Sequence, residues 1–204
     1  MNIFQIKTQP HGIERIDLFL TQDFVCIGYP GIGNLTNVDT DEIRDRLREQ
    51  KKCNGSRLGN YLGVVNTFVN TMKKEDIVLI SEGSWVHIGK LDDYQYESNF
   101  ETEGMCHRRC VNWLGKVKKD NLNEYVRELL RNRSIVTKFK HPSDIAELDK
   151  ALDKSSENTP VQSTNVNIDE ETLSRAMQVL NNALQSDNEG IRVKAAIGLL
   201  QYSK

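Results

Sequence analysis

The amino-acid sequence predicts an α+β fold: a compact barrel of short strands with helices packed around it, ending near residue 140. Three observations carry that reading. Short β-like runs recur at Phe24–Ile27, Ile77–Ile80, Trp85–Gly89 and Cys106–Leu114. A 3.6-residue apolar stripe runs through Leu58, Tyr61, Leu62, Val65, Phe68, Val69 and Met72, the pattern of a helix with one buried face. Beyond Asp153 the chain turns polar and loses its aromatic residues as far as Asn167.

In chain order, Ile13, Ile16, Phe19 and Leu20 share one helical face and predict a short first helix. The strand Phe24-Val25-Cys26-Ile27 is stopped by Gly28-Tyr29-Pro30-Gly31-Ile32-Gly33-Asn34, a loop whose glycines and proline force a sharp turn or a close backbone approach. Asp39 followed by Glu42 is a capping pattern that opens a charged helix through about Gln50. Ser81-Glu82-Gly83-Ser84 joins two strands as a hairpin turn, and Asp92-Asp93 reads as a second turn ahead of Tyr94-Gln95-Tyr96. Asn121 with Glu124 predicts another capped helix carrying Leu122, Val126, Leu129 and Leu130, and Ser134–Phe139 is β-like. Leu173, Met177, Leu180 and Leu184 then mark a further amphipathic helix, broken at Asn188-Glu189-Gly190 and resumed from Ile191 to Tyr202. Two short helices cannot bury that much apolar surface alone, so self-association or docking on the barrel is expected of this tail. The expected organisation is a binding domain over 1–150, a linker over 151–168 and a helical tail over 169–204.

Composition excludes several classes. In 204 residues, 38% are hydrophobic and 27% charged, an ordinary globular balance. No apolar run is long enough to span a bilayer, and Met1–Lys7 lacks the basic-then-apolar pattern of a signal peptide, so a cytoplasmic location is expected. The four cysteines are too scattered for a disulfide framework. A net charge of −2 argues against a protein that coats nucleic acid indiscriminately. The charge is uneven, though: Leu91–Glu103 carries five acids and no base, whereas Gly104–Lys140 is rich in Lys and Arg. A local basic face suits one phosphate-bearing ligand or a short strand, and equally a solvated surface.

The ordered set Arg15–Leu20, Ile27-Gly-Tyr-Pro-Gly-Ile-Gly-Asn-Leu-Thr36, Phe68-Val69, Met72–Val78, His87–Lys90, Tyr94–Tyr96 and His107–Leu114 resembles the EVE-like, PUA/YTH-related domain found at the N-terminus of Mrr-type modification-dependent restriction proteins. The resemblance covers roughly residues 1–140 and departs from the family at Glu75, where the family usually has Gly. It implies a small PUA/EVE-like barrel whose pocket holds a base, often a modified one, between aromatic side chains, and no catalysis by this domain.

Aromatic faces stack on bases and polar groups read their edges. Tyr29, Ile32 and Asn34 in the Gly/Pro loop, Trp85 and His87 after the hairpin turn, Tyr94 and Tyr96 on one strand face, and Arg108 and Arg109 are therefore the candidate ligand-binding residues. Each also has a bland reading: Tyr29 as a packed anchor, Trp85 as packing, His87 as a satisfied structural histidine. Trp113 reads as core. Adjacent Arg108 and Arg109 point to opposite faces of a strand, one toward the pocket mouth to grip phosphate and the other to the surface. Cys106-His107-x-x-Cys110 fails as a metal site, because on a strand its cysteines stand about 13 Å apart. Gly28-x-x-Gly31-x-Gly33 lacks the Lys-Ser/Thr of a phosphate loop. No nucleophile–base pair or rigid carboxylate pair stands out, so the expectation is a non-enzymatic module without cofactor or metal, partnered by a nucleotide or modified nucleic acid and by further copies of itself through 169–204. The alternatives are a sponge for a small nucleotide signal in phage counter-defence and a protein-interaction adaptor.

Overall fold

The computed structural model describes residues 1–158, 170–185 and 192. Its elements are β1 (Ile3–Ile6), α1 (Ile16–Thr21), β2 (Phe24–Ile27), α2 (Thr40–Lys51), α3 (Gly55–Asn66), β3 (Ile77–Glu82), β4 (Trp85–Tyr96), β5 (His107–Lys118), α4 (Glu124–Arg131), β6 (Val136–Lys138), α5 (Leu148–Asn158) and α6 (Glu170–Ala183). The class is α+β, with a six-stranded mixed sheet in the order β2-β5-β4-β3-β1-β6. The β1–β3 pair is parallel and the other four pairs are antiparallel.

The expected barrel is not what forms: β2 and β6 are the two edges of the sheet and do not pair with each other. The reason lies in how the faces are covered. A barrel fills its interior with its own inward side chains, whereas here each face of the sheet carries a separate core. Phe4, Ile6, Val78, Ile80, Leu91 and Val111 face Phe19 of α1, Ile43 and Leu47 of α2, and Val65 of α3. Ile3, Ile77, Leu79, Val86, Ile88 and Val117 face Val126 and Leu129 of α4 and Leu148 and Ala151 of α5. Strands whose alternate residues are apolar on both faces need helices on both sides.

Local signals place most elements. The Asp39 carboxylate accepts from Asp41 N–H and Glu42 N–H and caps α2, while the Glu42 side chain turns away to Arg46. The long apolar stripe forms α3 and continues through a π-helical turn at Thr67–Thr71, with Phe68, Val69 and Met72 buried. Helix α1 starts only at Ile16 and leaves Ile13 exposed. Asn123 rather than Asn121 caps α4, its side-chain Oδ1 accepting from Val126 N–H at 3.0 Å. Asn121 lies instead in a 3-10 turn.

Asp92-Asp93 also differs from expectation. It is not a turn but a bulge inside the continuous β4: Leu91 pairs with Val111 and Tyr94 with Arg109, so two residues on β4 oppose Cys110 alone. Helix α5 occupies the first part of the predicted linker, because Ala151 is buried in the core beneath α4. The second unit, Thr159–Lys204, contributes α6, whose Met177 and Leu180 are half-buried, like Leu184 just beyond its end, while Ser174, Arg175, Gln178 and Val179 are exposed. The expected second tail helix, Ile191–Tyr202, lies outside the described residues apart from Arg192, and so does most of the surface expected to self-associate.

Glu75 sits at φ 68°, in the left-handed region that favours glycine. Its carboxylate reaches Lys90 at 3.2 Å, an exposed pair that contributes little. Relief of a left-handed residue is worth about 1–2 kcal/mol and the extra chain entropy of glycine costs about 0.5–1 kcal/mol. Glu75→Gly is therefore expected to stabilise the protein by about 0.5–1 kcal/mol in urea unfolding, and a loss of stability would contradict that balance.

Candidate functional site

The Gly/Pro loop is fixed to the sheet by a buried relay. His107, at the start of β5, is fully buried, with Nε2 3.0 Å from the Tyr29 carbonyl and Nδ1 2.7 Å from the Tyr94 hydroxyl. Burial lowers the His107 pKa to about 4, so the imidazole is neutral at pH 7. A carbonyl only accepts, so Nε2 carries the proton and Nδ1 must accept from Tyr94. The Tyr94 oxygen then accepts from Leu35 N–H at 3.4 Å, and the direction of every bond in the relay is determined. The Tyr94 ring lies nearly parallel to the His107 ring, with centroids 6.0 Å apart. Gly31, at φ 84°, completes the clamp by donating its N–H to Glu101 at 2.9 Å.

Neither arginine reaches out for a ligand. Arg109 is buried, and its guanidinium donates to four backbone carbonyls: Phe68, Val69 and Met72 at the end of the π-helical turn, and Asp92 in the β4 bulge. It closes carbonyls that a helix end and a bulge leave open. Burial lowers its pKa, and Asp93, Asp76 and Asp92 oppose that shift. Arg108 is buried on the other face, with Nε donating to the Met105 carbonyl at 2.6 Å and the guanidinium carbon 4.3 Å from the Phe24 ring centroid and 3.8 Å from that of Phe100. The expected pair of one phosphate grip and one surface charge is replaced by two structural cations.

Beside this staple lies an open cleft of about 280 Å³ between the segment Leu35–Asn37, the helix end Val69–Lys73 and the β4 bulge. Tyr94 and Arg109 line it. So do Thr36, Asn37, Asn70, Lys73 and Asp93, none of which stands out as a ligand contact in the sequence. The Asn70 amide nitrogen donates to Val38 O and to Asn66 Oδ1, which leaves its own oxygen to accept. Asn37 and Asp93 are exposed, and Asn37 is held at φ 59°. One signal pointed here: Asn66 and Asn70, one turn apart, interrupt the otherwise apolar end of the long stripe.

The structure divides the remaining candidates. Tyr29 is buried with its ring edge-on to Tyr61 at 5.7 Å, and burial pushes its pKa up to about 12. Ile32 is buried core, and the Asn34 side chain closes its own turn by accepting from Thr36 N–H and hydroxyl. Tyr96 packs against His107 at 5.4 Å. Trp85 and His87 stand at the opposite end of β4, roughly 30 and 23 Å of extended strand from Tyr94. One aromatic cage cannot contain both groups. Among the described residues, no cluster of three or more His, Cys, Asp or Glu is placed to hold a metal ion, and no helix is long and apolar enough to cross a membrane.

Fold and cleft together define an α+β module built on an open mixed sheet, with a polar-lined recess where a helix end meets a β-bulge. Residues 9–140 match the family described as a domain of unknown function, DUF8426, over more than half of the sequence, and the chain belongs to that family. No curated protein matches it.

Proposed function

We propose that this chain binds a nucleobase-bearing ligand, without transforming it, in the cleft between Asn37, Asn70, Asp93 and Tyr94. The observation that carries the reading is the lining itself. The Asn70 carbonyl, the exposed Asn37 amide and the Asp93 carboxylate offer acceptors and donors beside a half-exposed tyrosine ring, on a floor stapled rigid by Arg109. A base is a flat ring with a hydrogen-bonding edge, and this combination of groups fits it. The volume, about 280 Å³, is at the small end for ligand sites, which favours a base or nucleoside over a larger molecule. Lys73 is the cation at the rim for a single phosphate. The side chains present hydrogen bonds and an aromatic face, which supports binding and not catalysis. The likeness of the ordered segments to EVE-like base readers points the same way, although the open sheet replaces the barrel that likeness implied.

Titration calorimetry with a panel of nucleosides, modified nucleosides and their monophosphates tests the proposal. At least one is expected to bind, and Asn37→Ala with Asp93→Ala is expected to weaken it tenfold or more, about the effect of losing one or two hydrogen bonds. Both side chains are exposed, so the fold should survive. Binding that is unchanged in the double variant would refute the cleft.

A further inference from the structure

At the end of the sheet away from the cleft, the same face of β4 and β5 carries a strip of rings between cations. Cross-strand pairing sets Trp85 opposite Lys118 and His87 opposite Lys116, with Trp113 next along the face opposite Gly89. The Lys116 and Lys118 ammonium groups stand 5.2 and 5.7 Å from the Trp85 ring centroid. The His87 and Trp113 rings meet edge-on at 6.3 Å. A Cβ at Gly89 would collide with Trp113 and Val111, so the missing side chain is what lets the Trp113 ring lie over the strand. Trp85 and Trp113 are half-exposed, and both lysines are exposed.

Topology gathers more positive charge at this end. Lys7 follows β1 there, with its ammonium 3.4 Å from the Leu130 carbonyl at the end of α4. Lys119 follows β5 and is close enough to Lys7 to help lower its pKa, after burial. Exposed Arg133 lies three residues before Val136, the first residue of β6, which pairs with Ile6. Against these stand Glu82, tied to His87 at 2.7 Å, and Asp120. Among the described residues, neither Lys116 nor Lys118 forms an ion pair with a carboxylate. Cations crowded together without counter-charge favour an anion, and a tryptophan between them favours one that carries flat rings.

We propose that this strip is a docking surface for single-stranded nucleic acid, with a base stacked on Trp85 and neighbouring phosphates held by Lys116 and Lys118. The surface is separate from the cleft and does not depend on a ligand there. Sheet-borne aromatics flanked by basic side chains take unpaired bases in this way, because stacking tolerates any base while the phosphates supply the affinity.

The test is fluorescence anisotropy of a labelled oligothymidylate of about twelve nucleotides, titrated at ~50 and ~200 mM salt. Binding is expected to weaken as salt rises. Trp85→Ala should weaken it at least tenfold and Trp85→Phe should largely restore it, whereas Lys116→Gln with Lys118→Gln should flatten the logarithmic salt dependence by about 1.4, the share of two phosphate contacts. Asn37→Ala, in the cleft, should leave it unchanged. Circular dichroism confirms that each variant is folded. No binding at low salt would overturn the proposal. So would Trp85→Ala binding like the wild type, or polyglutamate competing as well as the oligonucleotide, which would make this a surface for acidic polypeptide.

Discussion

Arg109→Ala is expected to destabilise the protein by about 3–5 kcal/mol, the range for removing one partner of a buried, charge-assisted network. Total stabilities are about 5–15 kcal/mol, so the variant should be largely unfolded by mild urea. The size of the effect follows from what the guanidinium leaves behind. The Phe68, Val69 and Met72 carbonyls end a helix and the Asp92 carbonyl belongs to a bulge, so all four lose their Arg109 donor at once where regular ladders are interrupted. Arg109→Lys should recover only part of the loss, because an ammonium is a single point and cannot fork between carbonyls on two elements. Urea unfolding followed by far-ultraviolet circular dichroism reads both variants. A loss below about 1 kcal/mol for Arg109→Ala would mean that the staple is dispensable.

Acid is the second large lever. The folded protein holds His107 neutral with a pKa of about 4, while in the unfolded chain a histidine titrates near 6.5. Between those values the unfolded state binds a proton that the native state refuses, so protonation favours unfolding. Stability from this group is complete above about pH 6.5 and falls as pH drops toward 4, at up to about 1.4 kcal/mol per pH unit. The total is on the order of 3 kcal/mol, and the slope levels off below pH 4 once both states are protonated. The cause is structural: a charged imidazole would lose its acceptor nitrogen, and with it the Tyr94 hydroxyl that anchors Leu35. Urea midpoints at steps between pH 7 and 4 measure the slope, and His107→Gln should flatten it. A wild-type protein equally stable at pH 7 and 4.5 would contradict the buried neutral histidine.

How much of this was legible in the sequence depends on the range of the interactions. The β3–β4 hairpin, the α2 cap at Asp39 and the buried stripe of α3 are written in residues a few positions apart, and they form as expected. The open sheet is not local. It rests on β1 finding β3 and β2 finding β5 across most of the domain, and no short pattern encodes those pairings. Asp92-Asp93 carries turn chemistry, yet the ladder to β5 resumes beyond it, so it becomes a bulge. Adjacent arginines suggested a phosphate grip because side-chain type reveals charge but not the open carbonyls that await it. Trp85 and Tyr94 are both aromatic, but one continuous strand holds them apart, which residue type alone does not reveal. Asn37, Asn70 and Asp93 come together only through the fold, from a loop, a helix end and a bulge.

A base is expected to bind in the cleft beside the Arg109 staple. Amide chemical-shift mapping tests it most directly, using nitrogen-15-labelled protein titrated with the nucleosides and modified nucleosides of the calorimetric panel. Saturable shifts are expected at Thr36, Asn37, Asn70, Lys73, Asp93 and Tyr94, with Trp85 and Lys118 unmoved. No shift with any nucleoside, or shifts gathered around Trp85 and not the cleft, would contradict it.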